Sequence, residues 1–256
     1  MRRIPGKILS LLTLVLTLSF FAVVLSASRA QRHASTCNAL VISILDSAER
    51  NFISRNDVKI LMAEYGEYIG QRIDDVNLSR MEKILQSKSA ILRSEAYITD
   101  DGTLHVDVTQ RVPVVRFQKG DAGFYADRSG FIFPLQNKFT SMVPIVDGNI
   151  PVSIDKGFKG ELSSEKEKLW VKEVISMIAF MEKSGIWSEN ISQMTVSTEG
   201  DLVLIPREGK ERFVFGSPTE VKAKFSRIGE YYEAVAPLEK GYTRVDVRYS
   251  GNIICK

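Results

Sequence analysis

Residues 8–28 read ILSLLTLVLTLSFFAVVLSAS, a run without a charged residue, a glycine or a proline. At about 1.5 Å per residue, some twenty helical residues span the roughly 30 Å hydrocarbon core of a bilayer. Because backbone amides in lipid need internal partners, this run is predicted to be a single transmembrane helix. Arg2, Arg3 and Lys7 precede it, so the positive-inside rule keeps residues 1–7 in the cytoplasm and exports the remainder.

A cleaved signal peptide is the alternative interpretation. Ser28-Arg29-Ala30 has the small-x-small form of a cleavage site, and the tail before the run is positively charged. However, the apolar segment of a signal peptide usually has about 7–15 residues, and this run is longer. The sequence therefore favours an uncleaved anchor, followed by a polar linker over residues 29–38.

The exported region is nearly neutral. Residues 1–33 carry five Lys or Arg and no Asp or Glu, which leaves 29 basic and 31 acidic residues in the remainder. Such a balance offers no basic surface for nucleic acid, whose binding depends on neutralising phosphates. Cys37 and Cys255 lie far apart in the sequence, and we expect two free thiols, although an oxidising compartment would permit a disulfide.

Residues 39–112 predict a small domain with the order β-α-α-β-β. Ser54 followed by Asp57 has the form of a capping box, which opens the first helix. Asp101-Gly102 lies between two alternating runs and predicts a hairpin. The predicted elements are a strand at 40–45, helices after Ser54 and near Asn77, and strands at 91–99 and 104–109.

Residues 113–256 predict a β-rich domain of antiparallel strands with two helices, which makes the chain α+β. The first helix begins at Ser163–Ser164, and the second at Ser217-Pro218, with a serine cap and Glu220 at its third position. The alternation in Thr243–Ser250 predicts the last strand. The other predicted strands lie at 123–127, 130–133, 143–146, 191–197, 202–205 and 212–215.

The sequence lacks the patterns that carry catalysis. It contains no phosphate-binding glycine loop, no GxSxG and no HExxH, and its only histidines are His33 and His105. His105 and Asp107 share a strand face, where an exposed pair is a simpler interpretation than a catalytic dyad. We therefore predict a protein that is not an enzyme, with no catalytic residues, cofactor, bound metal or small-molecule substrate. An enzyme of the cell envelope is the alternative to this prediction.

Five motifs occur in order along the chain: RVP at 111–113, YADRSGFIF at 125–133, VPIVDG at 143–148, FVFG at 213–216 and RVDVRY at 244–249. Together with the N-terminal tail, the anchor and the β-α-α-β-β region, these motifs resemble the bacterial cell-division family FtsQ, called DivIB in other lineages.

This resemblance implies a single-pass scaffold of the inner membrane, concentrated at the division site, with most of the chain in the periplasm. Residues 39–112 would be its POTRA domain, and 113–256 a β domain whose last strand receives FtsB by strand addition. FtsL would come with FtsB, FtsW and FtsI would be regulated by this assembly, and FtsK would be an upstream partner. The partner-binding residues implied are Val245, Val247, Arg248, Tyr249, Ser250 and Gly251.

Two questions stay open at this point. A terminal strand often lies at a sheet edge, where its free peptide groups can accept a partner strand, but it can equally be an inner strand. Family members often continue beyond this strand, and here Ile253 and Ile254 either replace those contacts or complete the core. The alternative function is a POTRA-type chaperone or transport module of the cell envelope.

Overall fold

The structure is a computed structural model. It describes residues 6–34, 36–48, 51–136, 138–153, 155, 157–238 and 240–256, and in the first helix the side chains of 12–26 alone. The chain forms two compact units, one of Met1–Glu49 with Ile53–Gln110 and one of Arg50–Phe52 with Arg111–Lys256. Both units contain helices and strands, so the predicted α+β class is confirmed.

The first helix, α1, comprises Gly6–Ala34. Its described leucine, valine and phenylalanine side chains are all exposed, as Leu16 at 67% illustrates. Counted over the described residues alone, no helix reaches the length and apolarity needed to cross a membrane. The helix also covers the beginning of the linker predicted at 29–38, because residues 29–34 contain no glycine or proline that would end it.

The first unit has the predicted order β-α-α-β-β. Its three-stranded sheet has the order β1-β3-β2, in which β1 is parallel to β3 and β2 is antiparallel to it. The elements after α1 are β1 Ala39–Ile44, α2 Arg55–Ala63, α3 Leu78–Gln86, β2 Ile91–Ile98 and β3 Thr103–Gln110.

Local capping explains where the two helices of this unit begin. The Asp57 N–H donates to Ser54 Oγ (3.2 Å), and the Ser54 N–H donates to Asp57 Oδ2 (3.0 Å), which completes the predicted capping box. Asn77 accepts from the Arg80 N–H at 3.0 Å and caps α3. Buried residues of both helices and of β3 form the core: Val58, Met62, Met81, Leu85, Leu104, Val106 and Val108.

The second unit contains a nine-stranded sheet in the order β12-β11-β10-β9-β8-β7-β4-β5-β6. Among the described residues of this unit, three α-helices connect the strands, and a π-helix (Tyr231–Val235) and a 3-10 helix (Ala236–Leu238) follow the last of them. The elements are β4 Pro113–Lys119, β5 Ala122–Asp127, β6 Ile132–Pro134, β7 Ile145–Gly148, α4 Glu165–Ser184, α5 Ile186–Asn190, β8 Ile191–Val196, β9 Leu202–Pro206, β10 Arg212–Gly216, α6 Val221–Glu230, β11 Arg244–Asp246 and β12 Ile254–Cys255.

The prediction of a purely antiparallel sheet with two helices is wrong. The pairs β4–β7, β7–β8 and β10–β11 are parallel. Parallel neighbours need a long crossover, and α4 and α6 supply it between β7 and β8 and between β10 and β11. The short α5 is a third helix that the sequence pattern did not indicate.

The predicted start of α6 is also wrong. The helix begins at Val221, and its preceding residue, Glu220, has φ 51° and makes no side-chain cap. The Ser217 hydroxyl instead bonds that of Thr219 at 2.6 Å, and Lys224 Nζ donates to the Ser217 carbonyl at 2.7 Å. The residues with a capping signature therefore form a turn, held by a buried lysine from the helix itself.

The buried faces of the long helices agree with the sequence pattern. In α4, Ser164 accepts from the Glu167 N–H as the N-cap, and Gly185 closes the helix at φ 70°. The predicted stripe after Val221 also faces the core, with Phe225 and Ile228 buried and Tyr232 partly buried. Both α4 and α6 thus pack on the sheet that carries the C-terminal strands.

Candidate partner-binding surface

The strand that the sequence predicts as the last one is β11 in the structure, and it differs from the prediction in its length and in its neighbouring strands. It comprises Arg244–Asp246 and not Thr243–Ser250, and it lies between β10 and β12. Gly251, at φ 75°, lies in the turn after it, and Ile254–Cys255 then returns antiparallel to β11. The sequence left two positions open for this strand, a sheet edge or the interior of the sheet, and the structure shows the inner position because β12 is the edge at this end.

The pairing of β12 with β11 also determines which peptide groups face outward. The Lys256 N–H donates to the Arg244 carbonyl (2.9 Å), and the Arg244 N–H donates to the Lys256 carbonyl (3.0 Å). Peptide groups of an antiparallel strand alternate between its two sides. The N–H and C=O of Cys255 are therefore directed away from β11, toward the open side of the sheet.

The six predicted binding residues fall into two groups. Val245 and Val247 are completely buried and belong to the core of the second unit. Arg248 is partly buried, whereas Tyr249 is 50% exposed and Ser250 and Gly251 are exposed. The structure therefore presents only residues 248–251 of this set to the side chains of a partner.

Arg248 is held by two carboxylates. Its Nη1 lies 2.6 Å from Asp201 Oδ2, and its Nη2 lies 2.6 Å from Asp246 Oδ2. Its Nε and its backbone N–H also donate to Asp246, at 3.0 and 3.1 Å from Oδ1. These bonds draw Arg248 back toward β11, which explains why the regular strand ends at Asp246 and does not continue to Ser250.

The electrostatics of this cluster favour the charged pair. Burial alone would raise the pKa of Asp246, but the hydrogen bonds and charge of Arg248 outweigh it, so the pKa is lowered from its ordinary value. The hydrogen bonds that Arg248 donates to Asp246 raise the pKa of Arg248. Both groups are therefore ionised at neutral pH, and Arg248 remains a cation at the surface.

Several residues of this surface were not identified from the sequence. Asp201 reaches Arg248 from the turn before β9, and Arg227 of α6 donates through Nε to the Val247 carbonyl at 3.0 Å. A Cβ on Gly216 would lie 2.9 Å from the Arg248 stem, so the glycine gives this side chain room to cross β10. Only β12 had a local signal, namely the turn residue Gly251 before Ile253-Ile254-Cys255.

Among the described residues, no group of three or more His, Cys, Asp or Glu side chains could hold a metal ion. Both cysteines are free, with Cys37 buried and Cys255 partly buried. What the surface offers is the Arg248 guanidinium, the exposed Tyr249 and the outward peptide groups of β12, a combination suited to protein recognition.

The fold defines an α+β protein in which a POTRA-type unit precedes a unit built on a large mixed sheet. Residues 35–109 match the model of the POTRA-like domain, and residues 112–256 match the model of the family described as FtsQ/DivIB, C-terminal related. The chain belongs to the FtsQ/DivIB family of cell-division proteins. No curated protein matches the chain.

Proposed function

We propose that this protein is a non-enzymatic scaffold of the bacterial division complex that recruits FtsB and FtsL to the septum. It links early components such as FtsK with the late components FtsW and FtsI. The chain is anchored in the inner membrane with residues 1–7 in the cytoplasm and its two folded units in the periplasm. The family membership supports the division role, and the C-terminal surface supports the mode of recruitment.

The anchor is proposed from the sequence. Residues 8–28 contain no charged residue, glycine or proline, and as a helix they would span about 32 Å at 1.5 Å per residue, about the thickness of a hydrocarbon core. Exposed leucine, valine and phenylalanine side chains surround the described part of α1. An apolar helix of this kind is stable in lipid, where all its backbone groups are paired internally.

The observation that carries the recruitment proposal is the position of Arg248 and Tyr249 beside the sheet edge. A strand added at an edge gains affinity from main-chain hydrogen bonds and specificity from neighbouring side chains. Tyr249 is a stiff amphipathic side chain of the type enriched at binding hot spots. Its ring lies 5.4 Å from the Arg248 guanidinium carbon, so the two form one patch.

The test is the affinity of the full chain, in detergent, for the extracytoplasmic segment of FtsB from the same cell. Tyr249→Glu places a negative charge in the patch and is expected to weaken binding at least tenfold. Tyr97→Glu is the matched control, because Tyr97 is a strand tyrosine of similar exposure (45%) in the first unit.

The expected outcome is loss of binding for the Tyr249 variant alone. Equal affinity of both variants and the unmodified chain would place the FtsB site elsewhere. Depletion tests the division role separately, since a divisome scaffold gives filamentous, unseptated cells. Loss of outer-membrane proteins with normal septation would instead support the transport alternative.

A further inference from the structure

We propose that β12 occupies the position of the partner strand, and that FtsB displaces β12 instead of adding outside it. This inference rests on the proposed function, since it concerns how the same surface is regulated. It makes the C-terminal segment, residues 252–256, an internal competitor for the partner.

The first argument is the size of the available edge. β12 has two residues, against the five or six of an ordinary strand. The alternation of its peptide groups leaves the N–H and C=O of Cys255 as the described outward pair within it. One such pair is a poor acceptor for a partner strand, which needs a row of donors and acceptors.

The second argument is that β11 is fixed independently of β12. Its parallel partner β10 lies on the other side, Val245 and Val247 are buried, and the Val247 N–H donates to the Val214 carbonyl at 3.1 Å. Asp246 is bonded to Arg248, and Arg227 holds the Val247 carbonyl. β11 would therefore keep its conformation if β12 left.

The third argument is the weak attachment of β12. Ile254 is 43% exposed, and Ile253 and Cys255 are only partly buried against the core. The described turn before it consists of exposed residues, including Tyr249 and Gly251. A segment with little buried surface opens at low free-energy cost.

Displacement would release the outward peptide groups of β11. The Arg244 N–H and C=O are both bonded to Lys256 while β12 is in place. Once these groups are free, a partner strand could pair along β11 and continue beside Arg248 and Tyr249. Arg248 and Tyr249 would then determine which partner binds. The free energy needed to release β12 would set the minimum affinity that a partner strand requires.

A disulfide between the two strands tests this directly. Cys255 lies opposite Val245 in a non-hydrogen-bonded pair, a position in which Cα atoms are about 4.5 Å apart, within the range of disulfides. Val245→Cys in the full chain can therefore lock β12 onto β11 when oxidised. Mass spectrometry of the peptides confirms the 245–255 bond, and Val245→Cys with Cys255→Ser is the control that cannot close.

The measured quantity is the affinity for the extracytoplasmic segment of FtsB in the oxidised and the reduced protein. Strand displacement predicts at least a tenfold loss on oxidation, recovery on reduction, and no redox dependence in the control. Equal affinity of both forms overturns the inference and leaves strand addition outside β12 in place. Absence of binding by the unmodified chain would instead overturn the proposed function itself.

Two proline variants keep the inference testable if the cysteine variant does not fold. The Ile254 N–H faces β11 and the Cys255 N–H faces outward, so Ile254→Pro loosens β12 while Cys255→Pro removes the outward donor. Displacement predicts that Ile254→Pro binds FtsB about twofold more tightly, the gain that a loss of about 0.5 kcal/mol in the attachment of β12 allows. Weaker binding by Cys255→Pro, with no gain for Ile254→Pro, would contradict it.

Discussion

The two units end their sheets in different ways. In the first unit, side chains of α3 cover the outer side of β2: the Ala96 N–H donates to Glu82 Oε1 at 2.9 Å, and Gln86 Nε2 donates to Ser94 Oγ at 3.3 Å. In the second unit, the outer strand is the two-residue β12, with peptide groups of Cys255 directed outward. One edge is therefore capped by a helix, and the other by a short strand of the same chain.

The difference indicates where each unit can accept a partner. Unpaired peptide groups at a sheet edge invite pairing with other chains, and proteins suppress this by covering or charging the edge. Glu82 does both for β2, since it is a charged side chain that already occupies the Ala96 donor. This argues against a transport module that binds client strands along β2.

The largest expected effect comes from the support of the C-terminal edge. Asp246→Asn removes the charge that holds Arg248, while the arginine stays partly buried. We expect the free energy of unfolding to fall by about 2 kcal/mol, as for a charged hydrogen bond broken in a protein. Urea unfolding of the full chain in detergent measures it, with Asp107→Asn on β3 as the control.

This effect should depend on pH with a definite sign. Because the folded pKa of Asp246 is lowered, its contribution is present above the unfolded pKa of about 3.9 and is lost as the pH falls through the folded value. The difference between the unmodified chain and Asp246→Asn should therefore shrink below about pH 4. A difference that is constant from pH 7 to pH 3 would show that Arg248 does not depend on this carboxylate.

A smaller effect is expected from uncapping the first edge. Glu82→Ala leaves the Ala96 N–H without its acceptor, which should lower the free energy of unfolding by about 1 kcal/mol. The Ala96 amide should also exchange with solvent at least fivefold faster, as measured by hydrogen exchange. Glu64→Ala at the end of α2 should leave this amide unchanged, and an unchanged Ala96 in the Glu82 variant would refute the cap.

The smallest effect on stability is expected at β12. Ile254→Pro removes one hydrogen bond of a half-exposed strand, so its cost should be about 0.5 kcal/mol. If this variant lost as much stability as Glu82→Ala, the second edge would be as firmly closed as the first. The proposed difference between β2, whose cover stays in place, and β11, whose cover can be displaced, would then be refuted.

Features that depend on neighbouring residues in the chain were predictable from the sequence. Ser54, Asn77 and Ser164 each cap the helix that follows them, and Asp101-Gly102 forms the expected turn. Hydrophobic periodicity also placed the buried faces of α4 and α6 correctly. These features follow from local hydrogen bonds and from the helical repeat, both of which are written in short stretches of sequence.

Features set by distant residues were not predictable. Ser217 has the sequence features of a helix cap. Its carbonyl instead accepts a hydrogen bond from Lys224 Nζ, and Gly216 before it has a positive φ, so Ser217 lies in a turn before the helix. The alternation in Thr243–Ser250 could not show that Asp201 and Asp246 would hold Arg248 and end the strand. The order of the strands, including the inner position of β11, depends on tertiary pairing. Local sequence patterns do not determine that pairing.

The central claim is that the surface beside Tyr249 binds a division partner, and site-specific crosslinking in growing cells tests it most directly. A photoreactive amino acid at position 249, compared with one at the equally exposed position 97, should capture FtsB, identified by mass spectrometry, from 249 alone. Capture of FtsB from position 97 to the same extent, or from neither position, would contradict the account.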